Sequence, residues 1–243
     1  HAREILLGMR RELDLFVNFR PVRCLDERLN PLKSVPATEI DMVFFRENTE
    51  GLYAGIGGTL RRGGCAEMAL EEMVATARGV ERIVRAAMAF AMGRERRRVT
   101  LVDKSNALPH VGALWQTVYS AVALDFPDVE TEHLFVDAAA HDLVRNPARF
   151  DVIVTDNLFG DILTDLAAAL QGGLGMASSC NLHPGGSAMV EPVHGSAPPL
   201  AGSGWANPLA AFLSFALLLR HIGRELVGDA VESAVRDVVA AGE

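Results

Sequence analysis

Asp161 and Asp165 stand four residues apart in the stretch FDVIVTDNLFGDILTDLAAAL at 150–170, a spacing that puts two carboxylates on one face of a helix. Like charges so placed repel by a few tenths of a kcal/mol when exposed. A divalent cation with its preference for hard oxygen ligands would reverse that sign. On these two residues alone, a solvated acidic face accounts for the pair equally well. Other candidates are spread along the chain: Arg10 and Arg20 bracket a short extended piece, Arg46 and Tyr53 lie in RENTEGLYAG, Lys104 and Asn106 lie in DKSNAL, and Asp137 follows an apolar run. Taken singly, Arg46 reads as a surface ion pair, Lys104 as a solvated loop charge and Asp137 as a helix N-cap. Taken together, arginines, a lysine, a tyrosine and three aspartates suit a metal-chelated small molecule with several anionic groups, its carboxylates forked by guanidinium.

The elements that must position these groups follow from periodicity. Apolar runs at 41–46, 99–102 and 150–155 and a partly alternating stretch at 129–136 read as strands, and helical spacing covers 67–92, 110–126 and 137–145. After the strand at 150–155, Asn157 and Gly160 make a turn into a helix opening at Asp161. The series βαβαβα predicts an α/β fold with a mostly parallel sheet covered by helices. Parallel strands bring their C-terminal ends to one edge, so Arg46, Lys104, Asp137 and Asp161 are expected near one crevice. Ahead of these lie a helix over 1–15 and an extended piece over 16–20 stopped by Pro21. Ala54–Gly64, rich in glycine, forms a hairpin or projecting arm. From Gly172 the chain becomes loop-rich, and its small residues at 194–197 are either a phosphate-approaching loop or a plain connection. A buried helix over 208–222 and a last helix over 225–241 close the chain.

Composition narrows the function classes. The chain has 243 residues, 49% apolar and 22% charged, with a formal charge of -8. That balance describes a globular protein and argues against a non-specific nucleic-acid binder, which would be basic. The run RERRR at 94–98 reads as the positive end of the helix before it. Cys24, Cys65 and Cys180 have neither an even count nor metal-ligand spacing, which argues against a disulfide framework or a zinc site and fits a reducing cytoplasm. The longest charge-free apolar stretch, 205–219, falls short of the ~20 residues that span a bilayer.

Several linked motifs, RENTEGLYAG (46–55), DKSNAL (103–108) with Trp115, VDAAAHDLVRNPARFDVIVTDNLFGDILTD (136–165) and EPVHGSAP (191–198) with ANP (206–208), resemble the metal-dependent β-decarboxylating dehydrogenases. This family includes 3-isopropylmalate, isocitrate, homoisocitrate and tartrate dehydrogenases. LLGMRRELDLFVNFRP (6–21) and TDNLFGDILTDLAAAL (155–170) bring the chain nearest the 3-isopropylmalate members. The resemblance implies a two-domain α/β fold: residues 16–171 as a dimerising middle domain, and 1–15 with 172–243 as the remainder of a cofactor domain whose opening βαβ region precedes this chain in other members. It also implies roles. Arg10, Arg20 and Arg46 would bind substrate carboxylates, Leu6 would line the pocket for an apolar substituent, and Asn106 would add a polar contact. Asp161 and Asp165, with Asp137 of a partner subunit, would hold Mg²⁺ or Mn²⁺. Lys104, also of the partner, and Tyr53 would be the catalytic base and acid, making the working unit a homodimer. His194, Gly195, Ser196, Ala197 and Pro198, with Asn207, would form the NAD site.

Where NAD-using members carry Asp after the Ser-Ala-Pro tripeptide, this chain has Pro199-Leu200. With no basic group there to meet a 2′-phosphate, NAD is expected over NADP. The expected reaction is oxidative decarboxylation of a 2-hydroxy diacid, 3-isopropylmalate foremost, in leucine biosynthesis. The alternatives are the tartrate, homoisocitrate and isocitrate reactions, or a catalytically impaired paralogue acting as a binding or regulatory subunit.

Overall fold

DMVFFRE folds as a strand buried on both faces, as its unbroken apolar run predicts. In this strand, β2 (Asp41–Glu47), Val43 and Phe45 enter one core while Met42 and Phe44 enter another. The computed structural model describes the backbone of residues 2–242 and side chains from residue 5 onward. His1, the first residue of the expected opening helix, lies outside the described residues; helix α1 runs Ala2–Glu12.

Seven strands form the main sheet, in the order β6 (Glu130–Phe135), β5 (Arg98–Asp103), β7 (Val152–Thr155), β2, β1 (Val17–Arg23), β8 (Ser178–Leu182), β9 (Ala188–Pro192). From β6 to β2 all neighbours are parallel; β1 is antiparallel to both β2 and β8, and β9 to β8. β6, β5, β7, β2 and β8 therefore run one way, a mainly parallel sheet. Helices α2 (Ala77–Ala91) and α3 (Pro109–Ala123) cover one face, packing Ile83, Met88, Trp115 and Tyr119 on Val99, Leu101 and Val154. Helices α4 (Val136–Arg145) and α5 (Asn157–Leu170) cover the other with Leu143, Leu163 and Ala167. Two further helices, α6 (Leu209–His221) and α7 (Glu225–Ala241), pack on each other, and α6 lies against β8 and β9.

The structure corrects several sequence expectations. The helix expected over 67–92 begins only at Ala77. Met68–Val74 is instead a strand, β4, pairing with the glycine-rich β3 (Gly51–Leu60) in a separate two-stranded ribbon, which is the expected hairpin arm. A neighbouring strand and a cap override the helical propensity of MALEEM. The Thr76 hydroxyl accepts from Gly79 N at 2.9 Å, and Glu50 accepts from Thr76 N and Oγ1 at 2.8 and 2.6 Å, fixing the first helical turn there.

Pro21 does not stop its strand. Cys24 N donates to Ile40 O beside β2, whereas Arg23 N donates to Gln171 away from it, so the nitrogen of residue 21 also faces away from β2. Pairing with β8 ends at Phe19, and a proline without an N–H costs no ladder bond on that open side. Strands β8 and β9 lie in the region expected to be loop, and they extend the sheet across the domain boundary expected at 171/172. SSCNL lacks the apolar run that marks a strand because its inward groups are small and polar. Finally, α5 opens at Asn157, not Asp161, with Asp156 as N-cap accepting from Phe159 N at 3.0 Å. The basic run 94–98 is taken up in ion pairs, Arg94 with Asp151 and Asp41 and Arg98 with Glu130. Of α6, expected to be buried, only one side is: Ala210, Ser214 and Ala216 are covered while Phe212 and Phe215 are exposed.

Replacing Thr76 by Ala removes the α2 cap and loosens Glu50 from it. The expected outcome is a loss of about 1 kcal/mol, read as a lower urea midpoint with an unchanged slope.

Candidate active site

Arg46, at the C-terminal end of β2, is the largest fully buried side chain among the described residues. Its Nε and Nη2 donate to Asn157 Oδ1 at 3.0 and 2.7 Å, and its Nη1 donates to Asp161 Oδ1. Asn157 completes the tie by donating to Glu50 O at 3.0 Å. The arginine stem passes so close to α5 that a Cβ on Gly160 would sit 2.6 Å from Arg46 Cγ and 2.8 Å from its Cβ. Tyr53 OH donates to Asp161 Oδ2 at 2.8 Å, and the Arg46 guanidinium lies 5.3 Å from the Tyr53 ring centroid.

Register brings Arg20 to the same place. Asn18 pairs with Arg46 across β1 and β2, so Arg20, two residues on, shares their face. Its Nη1 donates to Thr164 Oγ1 at 2.5 Å, and the guanidinium lies 3.5 Å from Asp161 and 3.9 Å from Asp165. Burial first, then Arg46, lowers the Arg20 pKa to about 10, with Arg10 adding to the effect. Arg10, on α1, is held at 3.3 Å by Glu191 Oε1 of β9. Glu191 accepts in turn from Asn181 Nδ2 at 3.1 Å, and Asn181 Oδ1 accepts from Asn18 and Asn48 at 2.8 and 2.9 Å. The Nε–H groups of Arg10 and Arg20 are buried without a hydrogen-bond partner. These two unpartnered guanidinium donors suit an anionic ligand that brings acceptor oxygens.

The acids divide. Burial tends to raise the Asp161 carboxyl, but Arg46, the Tyr53 hydroxyl and Arg20 hold it below its ordinary value. Asp165, four residues on and more exposed, is raised by burial and by Asp161 beside it. Both lie in the second and third turns of α5, away from the helix N-terminus, and the arginines relieve their repulsion. Burial raises the pKa of Tyr53, as does its bond to Asp161, keeping the phenol protonated.

Lys104 and Asp137 form a second cluster. Lys104 follows β5 and Asp137 follows β6, and their side chains meet at 2.5 Å. Both sit at the C-terminal edge of the sheet as expected, but towards the β6 end, while the arginines lie at β2 and β1. Neighbouring strands are about 4.8 Å apart, so the crevice expected for all of them has two separated stations within one protomer. Among the described residues no three His, Cys, Asp or Glu side chains come together as a metal site.

The remaining expected residues lie as follows. Leu6 is half-buried one turn before Arg10 on α1, and Asn106 is exposed in the turn after Lys104. His194 to Pro198 form an open loop after β9; Ala197 is in the left-handed region at φ 42°, and His194 Nδ1 lies 2.8 Å from Gly195 O. A Cβ at Gly195 would meet nothing within 4 Å, so a ligand could approach that backbone closely. Asn207, ahead of α6, accepts from Leu209 N through its Oδ1 at 2.9 Å. Sequence reasoning missed Thr164, Glu191 and the roles of Asn157 and Gly160. The spacing 157, 161, 164, 165 was the available signal, since these positions share one helical face.

The whole chain, residues 1–243, matches the family described as isocitrate/isopropylmalate dehydrogenase. The chain belongs to that family. The 3-isopropylmalate dehydrogenase of Streptomyces coelicolor is 53% identical over 235 residues, 96% of this chain and 67% of that protein. That of Rhodococcus erythropolis is 50% identical over 244 residues, 99% of this chain and 72% of its own. Among solved structures, isocitrate dehydrogenase from Methylococcus capsulatus superposes with a TM-score of 0.89 at 39% identity, covering 97% of this chain and 68% of that one. The TT0538 protein from Thermus thermophilus gives 0.86 at 37% identity, covering 98% and 46%. Isocitrate/isopropylmalate dehydrogenases are enzymes, and the sheet and helices described above are shared with the solved isocitrate dehydrogenase.

Two outcomes test the site's construction. Gly160→Ala forces the buried Arg46 stem aside; a loss of about 1–3 kcal/mol is expected in urea unfolding, with weaker malate binding by calorimetry. Asp156 is pushed up to about 7, mainly by burial. A raised folded-state value means that its stabilising protonation is complete below the ordinary value of 3.8 and lost as pH rises through about 7. Stability should therefore fall across that window by up to roughly 1.4 kcal/mol per pH unit. Asp156→Asn keeps the capping oxygen and should flatten the slope in denaturant midpoints measured from pH 4 to 8.

Proposed function

We propose that this protein oxidises and decarboxylates a 2-hydroxy diacid, 3-isopropylmalate foremost, with NAD⁺ as hydride acceptor and Mg²⁺ or Mn²⁺ as metal. The observation that carries the reading is the meeting of Arg20 and Arg46 at Asp161 on α5, with Tyr53 of β3 bonded to the same carboxylate and Arg10 close enough to act on both arginines. The names of the relatives at 50–53% identity support the choice of substrate. Half-buried Leu6, one turn from Arg10, supports an apolar substituent.

In this reading the guanidinium groups fork onto the substrate carboxylates and fix its orientation, which is where much of the rate enhancement arises. Asp161 and Asp165 offer carboxylate oxygens of the kind a hard cation takes, and Asp137 of a partner subunit would complete the set. A cation bound there would acidify the substrate hydroxyl and polarise the carbonyl formed from it. Lys104 of the partner subunit would take up the hydroxyl proton, and NAD⁺, when bound, would supply the hydride acceptor. Carbon dioxide then departs, and Tyr53, held protonated against Asp161, delivers a proton to the carbon left behind. The open loop from His194 to Pro198 offers small residues and free backbone to the dinucleotide.

A homodimer is supported by where apolar surface remains. The ribbon exposes Ile56, Leu60, Met68 and Leu70, and α5 exposes Ile162. Lys104 and Asp137 lie apart from their own arginines, as groups serving a neighbouring copy would. Among the described residues no helix is long and apolar enough to cross a membrane. The three cysteines are free, which supports a cytoplasmic location.

Turnover of 3-isopropylmalate, and of malate, tartrate and isocitrate for comparison, is measured with NAD⁺ and Mn²⁺. Activity on the first and a drop in kcat of about 100-fold or more in Tyr53→Phe, which retains the ring under Arg46, are expected. No product from any substrate, together with tight association with a full-length relative, would replace the enzyme reading by that of a binding subunit.

A further inference from the structure

Lys104 carries a long, flexible side chain, yet the turn from which it springs is tied on both sides. The carboxylate of Asp103, 4% exposed, is the common anchor. Its Oδ1 accepts from Ser105 N at 3.0 Å and lies 2.8 Å from His133 Nε2, which must donate because a carboxylate only accepts. Its Oδ2 accepts from Gln116 Nε2 at 3.0 Å, and the same amide donates to Ser105 Oγ at 2.7 Å. Three elements thus meet on one side chain: β5 itself, β6 through His133, and α3 through Gln116.

The far side of the turn is equally fixed. Lys104 O accepts from Ala107 N at 2.9 Å and Leu108 N at 2.8 Å. Ser105 presses on α3 so closely that a Cβ at Gly112 would stand 2.3 Å from Ser105 Cβ. His133 also packs edge-on against Phe135, centroids 5.3 Å apart, and the Lys104 ammonium lies 5.9 Å from the Phe135 ring on its way to Asp137. Strand register explains the grouping, since Asp103 pairs with Phe135 and Leu101 with His133 on the same face.

We propose that Asp103 is a positioning residue which, with His133 and Gln116, fixes the turn that aims Lys104 past Phe135 at Asp137, without itself touching substrate. The assignment of Lys104 to the reaction rests on the function proposed above; the aiming of Lys104 does not. A lysine tethered only by its own backbone would sample many rotamers, and the cost of freezing it would fall on each turnover. A rigid base removes part of that cost, and misplacement by about 1 Å can lower a rate about 100-fold.

The chain has only two lysines, Lys33 and Lys104, which makes a direct test practical. Reductive ¹³C-methylation of the purified full chain keeps the positive charge and yields two lysine signals besides that of the terminal amine, assigned with Lys33→Arg. In Asp103→Ala the Lys104 signal should sharpen and move towards the position of exposed Lys33. In the same variant kcat should fall about 10- to 100-fold with the substrate KM within about twofold. Asp103→Asn, which keeps an acceptor oxygen, should restore most of both. His133→Phe removes only the donor and should shift the signal in the same direction, providing the reading where Asp103→Ala does not fold. A Lys104 signal unchanged in these variants overturns the proposal. Lys104→Ala, assayed alongside, separates the two claims: full activity in it removes Lys104 from the reaction, while the resonance still decides whether Asp103 aims it.

Discussion

A guanidinium buried at the end of a strand is the constraint around which this protein is built. Arg46 is charged and almost wholly withdrawn from water, which is tolerable only if its donors are met. Asn157 and Asp161 meet them, and both stand on α5, so the requirement fixes how that helix docks on β2. Gly160 follows from the same constraint, because a helix lying this close to the arginine stem has no room for a side chain at that turn. Even Tyr53 is placed by it, between the Arg46 guanidinium and the second oxygen of Asp161.

Charge balance around that link is incomplete. Arg20 sits beside Arg46, and Arg10 is near enough to depress the pKa of both. Glu191 and Asp161 satisfy part of this positive field, and buried Nε–H groups on Arg10 and Arg20 remain unmatched. Leaving buried donors unmatched costs stability. An anionic ligand of the proposed kind would recover that cost on binding.

The asparagine network shows why the sheet continues past β1. Asn18, Asn48 and Asn181 meet at one oxygen, and Asn181 carries Glu191, which holds Arg10. Polar side chains in a strand interior are costly unless each finds a partner. Here they link α1, β1, β8, β9 and the turn after β2, so the segment after 172 is bonded to the same scaffold as the arginine site.

How much of this was legible in the sequence depends on whether the signal was local. Periodicity and apolar runs determined the parallel βα series, the helices α3 to α5 and α7, and the placing of Arg46, Lys104 and Asp137 at strand ends, because burial of both faces leaves a direct mark on composition. Linked motifs identified the family. Other features belong to pairings between distant segments and leave no such mark. MALEEM has the propensity of a helix and becomes a strand because a glycine-rich neighbour and the Thr76 cap decide otherwise. SSCNL reads as loop, yet its small polar groups are buried against Asn18. Pro21 is allowed in mid-strand only because the pairing of β1 with β8 ends at Phe19. The separation of Lys104 and Asp137 from the arginines was decided by strand order, since residues at the ends of β5 and β6 stand two or three strands away from β2, a distance that no spacing along the chain encodes.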